Sequence, residues 1–238
     1  MKRGGRKAVI PQFLLLVFGA YLLGSVPTAY LVARWRRGID IRRFGSGNVG
    51  LSNVVASGSR WSSVIVVVFD LLKGMSPVYV ALAIHLQLYQ QVVVGLAAIS
   101  GHNWTVFLRF NGGRGILTTL GVLIALAPWL ALFGAILSFA WLPFRQFALG
   151  NLIALVLLPL LSWFVSGLFR IEQTLVLTLG LVAILLLVVA RRLTAPRTEF
   201  WATMPVGEIL LCRLLFDRDI RDRKVWLARM PSRTSSSE

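Results

Sequence analysis

The sequence predicts an all-α, polytopic integral membrane protein of about seven transmembrane helices, N-outside and C-inside, with an amphipathic cytoplasmic tail at its C-terminal end. Three observations carry this. Of the 238 residues, 57% are hydrophobic and only 14% charged, whereas a soluble domain is about 45–50% apolar and about 25% charged. The apolar residues gather in stretches near the roughly 20 residues that cross a bilayer. The 25 Lys and Arg against 9 Asp and Glu, a formal charge of +16, fall mostly between alternate stretches. Together these exclude a disordered basic tail and an ordinary cytosolic globule, and the single cysteine, Cys212, excludes a disulfide framework.

The first span is expected over 9–33. Lys2, Arg3, Arg6 and Lys7 precede it as in a signal peptide, but a cleavable apolar region runs to about 7–15 residues, and this one continues past Gly24, so an uncleaved span is expected. The second, 61–86, is interrupted by Asp70 and Lys73; the third, 88–108, carries Ser100, His102 and Asn103. The stretch 116–144 is too long for one upright span, and Pro128 divides it into two short tilted helices. Spans over 147–169 and 174–190 complete the membrane body, residues 1–192. In the tail, 193–238, an apolar run over 208–217 with Asp217/Arg221 and Asp219/Arg223 at i,i+4 spacing predicts an interfacial amphipathic helix. A Ser-rich disordered end follows.

Orientation follows from the loop charges. Arg34, Arg36, Arg37, Arg42, Arg43 and Arg60 share one side with Arg109, Arg114, Arg145 and the basic tail, while the other side holds the N-terminal charges and Arg170. The richer side is cytoplasmic by the positive-inside tendency.

Polar residues that are neither spacers nor anchors fall in two cytoplasmic stretches. In the first, Gly45, Gly47 and Gly50 match a G-x-G-x-x-G spacing, but that fingerprint has meaning only after a strand in a βαβ unit. The underlying physics survives: glycines let backbone amides approach an anion, and Ser46, Asn48, Ser52 and Asn53 add donors. The alternative is a flexible loop with a helix N-cap at Ser52 or Asn53. The second stretch joins Gly101-His102-Asn103 to Asn111-Gly112-Gly113-Arg114-Gly115 at the opening of the next helix. Glycine-freed amides at a helix N-terminus beside a guanidinium make an anion site, although Arg114 also fits an interfacial anchor. His102 fits either a backbone-satisfied imidazole or an acid-base group, its ordinary pKa of about 6.5 permitting both. Asp70 and Lys73 share one helix face and read equally as interior glue or as a ligand contact. Two histidines and one cysteine make a catalytic zinc site improbable.

At these residues the chain resembles the bacterial acyl-phosphate:glycerol-3-phosphate acyltransferases of the PlsY type. The likeness runs through Leu23-Gly24-Ser25-Val26-Pro27, Asp40-Ile41-Arg42, Gly45-Ser46-Gly47-Asn48-Val49-Gly50 with Asn53-Val54, Asp70-Leu71-Leu72-Lys73-Gly74, and Gly101-His102-Asn103 with Gly112-Gly113-Arg114-Gly115. Beyond Pro128 only the hydropathy agrees. The resemblance implies a multi-pass enzyme of the bacterial cell membrane with its site at the cytoplasmic face. It would move an acyl group from acyl phosphate to position 1 of glycerol 3-phosphate, the first step of phospholipid biosynthesis, with no metal, cofactor or nucleic acid involved and membrane lipid as its surroundings. His102, Asn103 and Arg114 become the catalytic candidates. Arg42, Ser46, Gly47, Asn48, Gly50, Ser52, Asn53, Arg60, Lys73, Gly112, Gly113 and Gly115 become candidates for substrate and phosphate contacts. Three departures bear on this, the first being that Arg114 stands where the family's Gly-Gly-Lys-Gly loop has its lysine. Ala56 stands where the family usually has an arginine, with Arg60 one turn later, and Arg191-Arg192-Leu193 replaces a C-terminal His-Arg-x-Asn-Ile run. A diverged non-catalytic or altered-substrate paralogue, or a small-solute or anion transporter with a midplane site, are the competing readings; a nucleic-acid binder would need a folded basic module.

Overall fold

The computed structural model describes residues 4–44, 46–57, 60–165 and 173–228. Among them every regular element is helical: α1 (Gly4–Ser25), α2 (Thr28–Arg37), α3 (Leu51–Ala56), α4 (Arg60–Ala83), α5 (Leu88–Asn103), α6 (Ile116–Leu126), α7 (Pro128–Phe139), α8 (Phe147–Val165), α9 (Thr174–Leu193), α10 (Val206–Phe216) and α11 (Arg223–Ala228). Large apolar side chains such as Leu15, Phe18, Leu179 and Leu186 face outward. Exposed apolar surface on this scale suits hydrocarbon, where helices satisfy their own backbone groups.

Five segments are long and apolar enough to cross a membrane: Ile10–Arg37, Arg60–Ala83, Leu88–Leu108, Phe147–Phe164 and Thr174–Leu193. The expected split at Pro128 is present, with Ala127 alone between the end of α6 and Pro128, which opens α7. These two helices have 11 and 12 residues, a rise of roughly 16–18 Å at about 1.5 Å per residue. That is shorter than a hydrocarbon core of about 30 Å.

The first span differs from the continuous helix expected over 9–33. It breaks at Val26-Pro27, and Pro27 becomes the N-cap of α2. Proline alone does not explain the break, because Pro77 and Pro159 sit inside α4 and α8. At the break the carbonyl groups find new donors: Lys73 Nζ donates to the Val26 oxygen at 3.1 Å, and Thr105 Oγ1 donates to the Ser25 oxygen. Satisfying freed carbonyls from neighbouring helices is what makes a broken helix tolerable in a membrane.

Two close helix crossings fix these neighbours. A Cβ on Gly24 would lie 2.1 Å from the Ala98 oxygen and one on Gly101 2.1 Å from the Tyr21 oxygen, so α1 and α5 touch backbone to backbone. Gly74 against Thr118 and Gly121 against Leu71 do the same for α4 and α6. Small residues at such crossings let packing drive association where lipid gives no hydrophobic preference. Lys73 and His102 directly adjoin Gly74 and Gly101, so both are carried into the interior. Val78, Ile99, Val122, Leu158 and Leu181 form the core around α4, α5, α6, α8 and α9.

The tail helix is present as α10, but the predicted surface ion pairs are not. Asp217 ends α10 in the left-handed region at φ 57° and pairs with Arg114; Asp219 pairs with Arg213. Both acids turn toward the protein, because buried guanidinium groups lie there. The Ser-rich end lies outside the described residues.

Candidate active site

Breaking the first span opens a small interior cavity of about 10 Å³, walled by Ser25, Val26, Lys73, His102, Thr105 and Gly113 among others. That is room for about one water molecule. Lys73 Nζ lies 2.8 Å from Asp70 Oδ1, and both side chains are almost fully buried. His102 Nδ1 is 4.0 Å from the same carboxylate oxygen, too far for a hydrogen bond. Among the described residues His102 Nδ1 and both side-chain atoms of Asn103 are buried without a hydrogen-bond partner. Asn103 is 0% exposed. Buried polar atoms normally carry partners, so this pair of adjacent residues marks the interior as a place where polar groups are held ready.

The glycine loop is built differently from the anion nest expected of it. The amides of Gly112 and Gly113 donate back to the carbonyl oxygens of Asn103 and His102, at 3.2 and 3.1 Å. Their own carbonyl oxygens accept from Arg191, Nη2 to Gly112 at 2.7 Å and Nε to Gly113 at 3.0 Å. These two amides are thus spent on positioning within the protein. Gly113 has no room for a side chain: a Cβ would lie 2.2 Å from His102 Nε2 and 2.6 Å from the Val49 oxygen. Gly115 adopts φ 71° as the N-cap of α6.

Arg114 faces Asp217, with Nε 2.7 Å from Oδ1, and Nη1 donates to the Arg191 oxygen at 3.3 Å. Arg192, also buried, donates to Leu214 and Ala148 oxygens. Three guanidinium groups therefore converge where α9 meets the glycine loop. Sequence reasoning noted Arg191 and Arg192 only as replacements for a missing motif. Asp217 was missed because its nearest basic residues in sequence, not in space, offered it an obvious partner.

In the loop 44–53, one of the residues expected to touch phosphate, Asn53, organises the chain. Asn53 is 1% exposed; its Nδ2 donates to the oxygens of Ile41, Phe44 and Asn48 at 2.9, 2.7 and 3.2 Å, and its Oδ1 accepts from the Ser46 amide at 3.3 Å. That arrangement is set by a left-handed Gly47 at φ 70° and by Asn48 N–H donating to Ser46 Oγ at 3.3 Å. Gly50, rather than Ser52 or Asn53, is the N-cap of α3, and Ser52 is exposed. Gly45 lies outside the described residues. Arg42 makes a two-pronged contact with Asp40, at 2.9 and 2.7 Å, and lies over the Tyr30 ring. The Arg42 side chain holds the Asp40 carboxyl below its usual range, against a smaller opposing effect of burial. Arg60 opens α4 and is exposed, as is Ala56. Neither Arg42 nor Arg60 lines the cavity. Among the described residues no group of three His, Cys, Asp or Glu comes together to hold a metal.

A family model described as glycerol-3-phosphate acyltransferase matches residues 14–197. The chain belongs to this family. Glycerol-3-phosphate acyltransferase 4 of Dehalococcoides mccartyi strain CBDB1 is 44% identical over 219 residues, covering 92% of this chain and 94% of that protein. Glycerol-3-phosphate acyltransferase 5 of strain ATCC BAA-2266 is 45% identical, covering 91% and 93%. The crystal structure of PlsY (YgiH), an integral membrane glycerol 3-phosphate acyltransferase, in its glycerol 3-phosphate form aligns with TM-score 0.67 and 32% identity over 76% of this chain and 88% of that one. The acyltransferase expected from five short sequence blocks is the enzyme class of the family found, and the multi-pass membrane character agrees. The family model stops at residue 197, whereas the match to both Dehalococcoides acyltransferases covers over nine-tenths of the chain and so continues into the tail.

Proposed function

We propose that this chain transfers an acyl group from acyl phosphate to the 1-hydroxyl of glycerol 3-phosphate, giving lysophosphatidate and inorganic phosphate at the cytoplasmic membrane face. The observation that carries this reading is the meeting of Arg114 and Arg191 on the Gly112-Gly113 loop, whose other side walls the cavity of Lys73 and His102. Cations are thereby set beside a polar interior at the end of membrane helices, where an anionic headgroup meets an acyl chain. Guanidinium groups suit phosphate because their planar donors match its oxygens.

Acyl phosphate is a mixed anhydride and needs no nucleophilic residue. The substrate hydroxyl oxygen bonds to the acyl carbon, the bond from that carbon to the phosphate oxygen breaks, and the departing phosphate takes the hydroxyl proton. The protein's part is alignment of two anions and stabilisation of developing charge. Arg114 neutralises a phosphate, His102 and Asn103 orient the hydroxyl or the acyl carbonyl, and Ser46, Asn48 and Ser52 add phosphate contacts. Asn53, Gly112 and Gly113 hold the two loops in shape, and Lys73 secures the broken span beside them. The chain lies N-outside with seven helices in or across the bilayer.

Membranes containing the protein, given palmitoyl phosphate and glycerol 3-phosphate, are expected to form lysophosphatidate and inorganic phosphate in equal amounts. Formation no greater than in vector-only membranes overturns the reading and favours the non-catalytic paralogue.

A further inference from the structure

We propose that Asp217 is a positioning residue for acyl transfer, so that the C-terminal segment beyond residue 197 completes the active site. The inference rests on the reading of Arg114 as the phosphate-facing cation.

An arginine in place of the loop lysine changes what the site requires. An ammonium is a point charge that donates in any direction, whereas a guanidinium is a planar fork whose value depends on how its plane is set. Here two oxygens lie against the guanidinium: Asp217 Oδ1 forms an ion pair with Nε at 2.7 Å, and the Arg191 oxygen accepts from Nη1 at 3.3 Å. Among the described residues the contacts of this guanidinium use those two nitrogens, which leaves Nη2 for a substrate oxygen.

The carboxylate also makes the cluster sustainable. Arg191 and Arg192 are both within electrostatic reach of Arg114 and of Asp217, so one anion offsets repulsion among three cations while the sum stays positive. The site thus keeps its attraction for a phosphate and loses part of its self-repulsion.

Asp217 is presented by a fixed scaffold rather than a mobile arm. Arg213, 2% exposed, donates to the oxygens of Leu193, Ala195 and Pro196 and to both oxygens of Asp219. Asp219 also accepts from Thr198 Oγ1 at 2.6 Å and Trp201 Nε1 at 3.2 Å. On the other side Arg192 Nη1 donates to the Leu214 oxygen at 2.6 Å. Asp217 lies between these two anchors. This pinning argues for orientation of Arg114 and against a swinging carboxylate that occupies the phosphate site.

The test uses full-length protein with palmitoyl phosphate and glycerol 3-phosphate, comparing wild type, Asp217→Asn, Asp217→Glu, Arg114→Lys and Arg114→Lys/Asp217→Asn, each at matched folded amount. Asp217→Asn is expected to lower kcat by about ten- to a hundredfold, and Asp217→Glu to recover most of that loss. A lysine needs no orienting partner, so the double variant is expected to stay within about twofold of Arg114→Lys, a departure from additivity that marks coupled residues. Should Asp217→Asn alone not fold, a further loss in the double variant overturns the proposal. Wild-type kcat in Asp217→Asn overturns it, as does an equal loss in both backgrounds, which is a purely structural role. Raised activity with a lower KM also overturns it, since the carboxylate then competes with substrate. If wild type turns over and Arg114→Ala does not while Asp217→Asn is unimpaired, this inference alone fails; no turnover by wild type is the failure of the acyltransferase reading.

Discussion

Lys73 of α4 donates to the carbonyl oxygen of Val26 at 3.1 Å while its charge is met by Asp70 at 2.8 Å, so one ammonium closes the break in the first span and neutralises a buried acid. Removing one member of a buried pair strands the other at a cost of about 3–5 kcal/mol. Lys73→Met is expected to lower the unfolding temperature in detergent markedly, and Lys73→Met/Asp70→Leu to regain part of the loss. Equal unfolding temperatures for the two variants would show that Asp70 is not stranded.

Asn53 ties three carbonyl groups of the 41–48 segment with one amide. Asn53→Ala leaves buried acceptors unpaired at about 1–3 kcal/mol each, and activity should fall together with stability. Asn53→Asp is expected to be worse, because it turns an acceptor toward three acceptors. The order is read by thermal unfolding of the purified variants; a phosphate ligand at Asn53 would instead leave both variants stable with a raised KM.

Gly113→Ala is expected to abolish activity, since the new methyl would lie 2.2 Å from His102 Nε2. Backbone on the other side, the Val49 oxygen at 2.6 Å, blocks the alternative shift. Turnover near wild type in Gly113→Ala would show that the loop does not pack on His102.

The Asp40–Arg42 pair gives a pH dependence with a definite sign. Hydrogen bonding from Arg42 lowers the Asp40 pKa in the folded state. Its contribution to stability is therefore complete above the unfolded carboxylate value of about 3.9 and disappears as pH falls through the lower folded value. Both side chains are partly exposed, so the expected size is at most about 1 kcal/mol. Asp40→Asn should remove this component from acid unfolding curves while leaving stability near pH 7 within that margin.

The helical membrane character was legible in the sequence because it rests on local properties: apolar length and the helix-dividing Pro128. The break at Pro27 was not, since Pro77 and Pro159 show that a membrane helix absorbs a proline unless a neighbour takes its carbonyl groups, and Lys73 is far away in sequence. The stretches that carry the interior polar residues were legible, while the contacts those residues make were not. Gly112 and Gly113 were read as free amides, yet both amides are used by the chain; Asn53 was read as a ligand and is a brace. Asp217 was assigned an i,i+4 partner because that geometry is visible in one dimension, whereas its contact with Arg114 exists only after α9 has brought the tail to the glycine loop.

The steady-state rate of Arg114→Ala with palmitoyl phosphate and glycerol 3-phosphate, compared with wild type at equal folded concentration, reaches the centre of this mechanism. Loss of one preorganised donor to developing charge costs about 100-fold or more, so kcat/KM is expected to fall at least that far while the unfolding temperature of the variant shows that it is folded. A folded Arg114→Ala protein within about twofold of wild type would contradict the assignment of this guanidinium to a substrate phosphate, and with it the site proposed at the glycine loop.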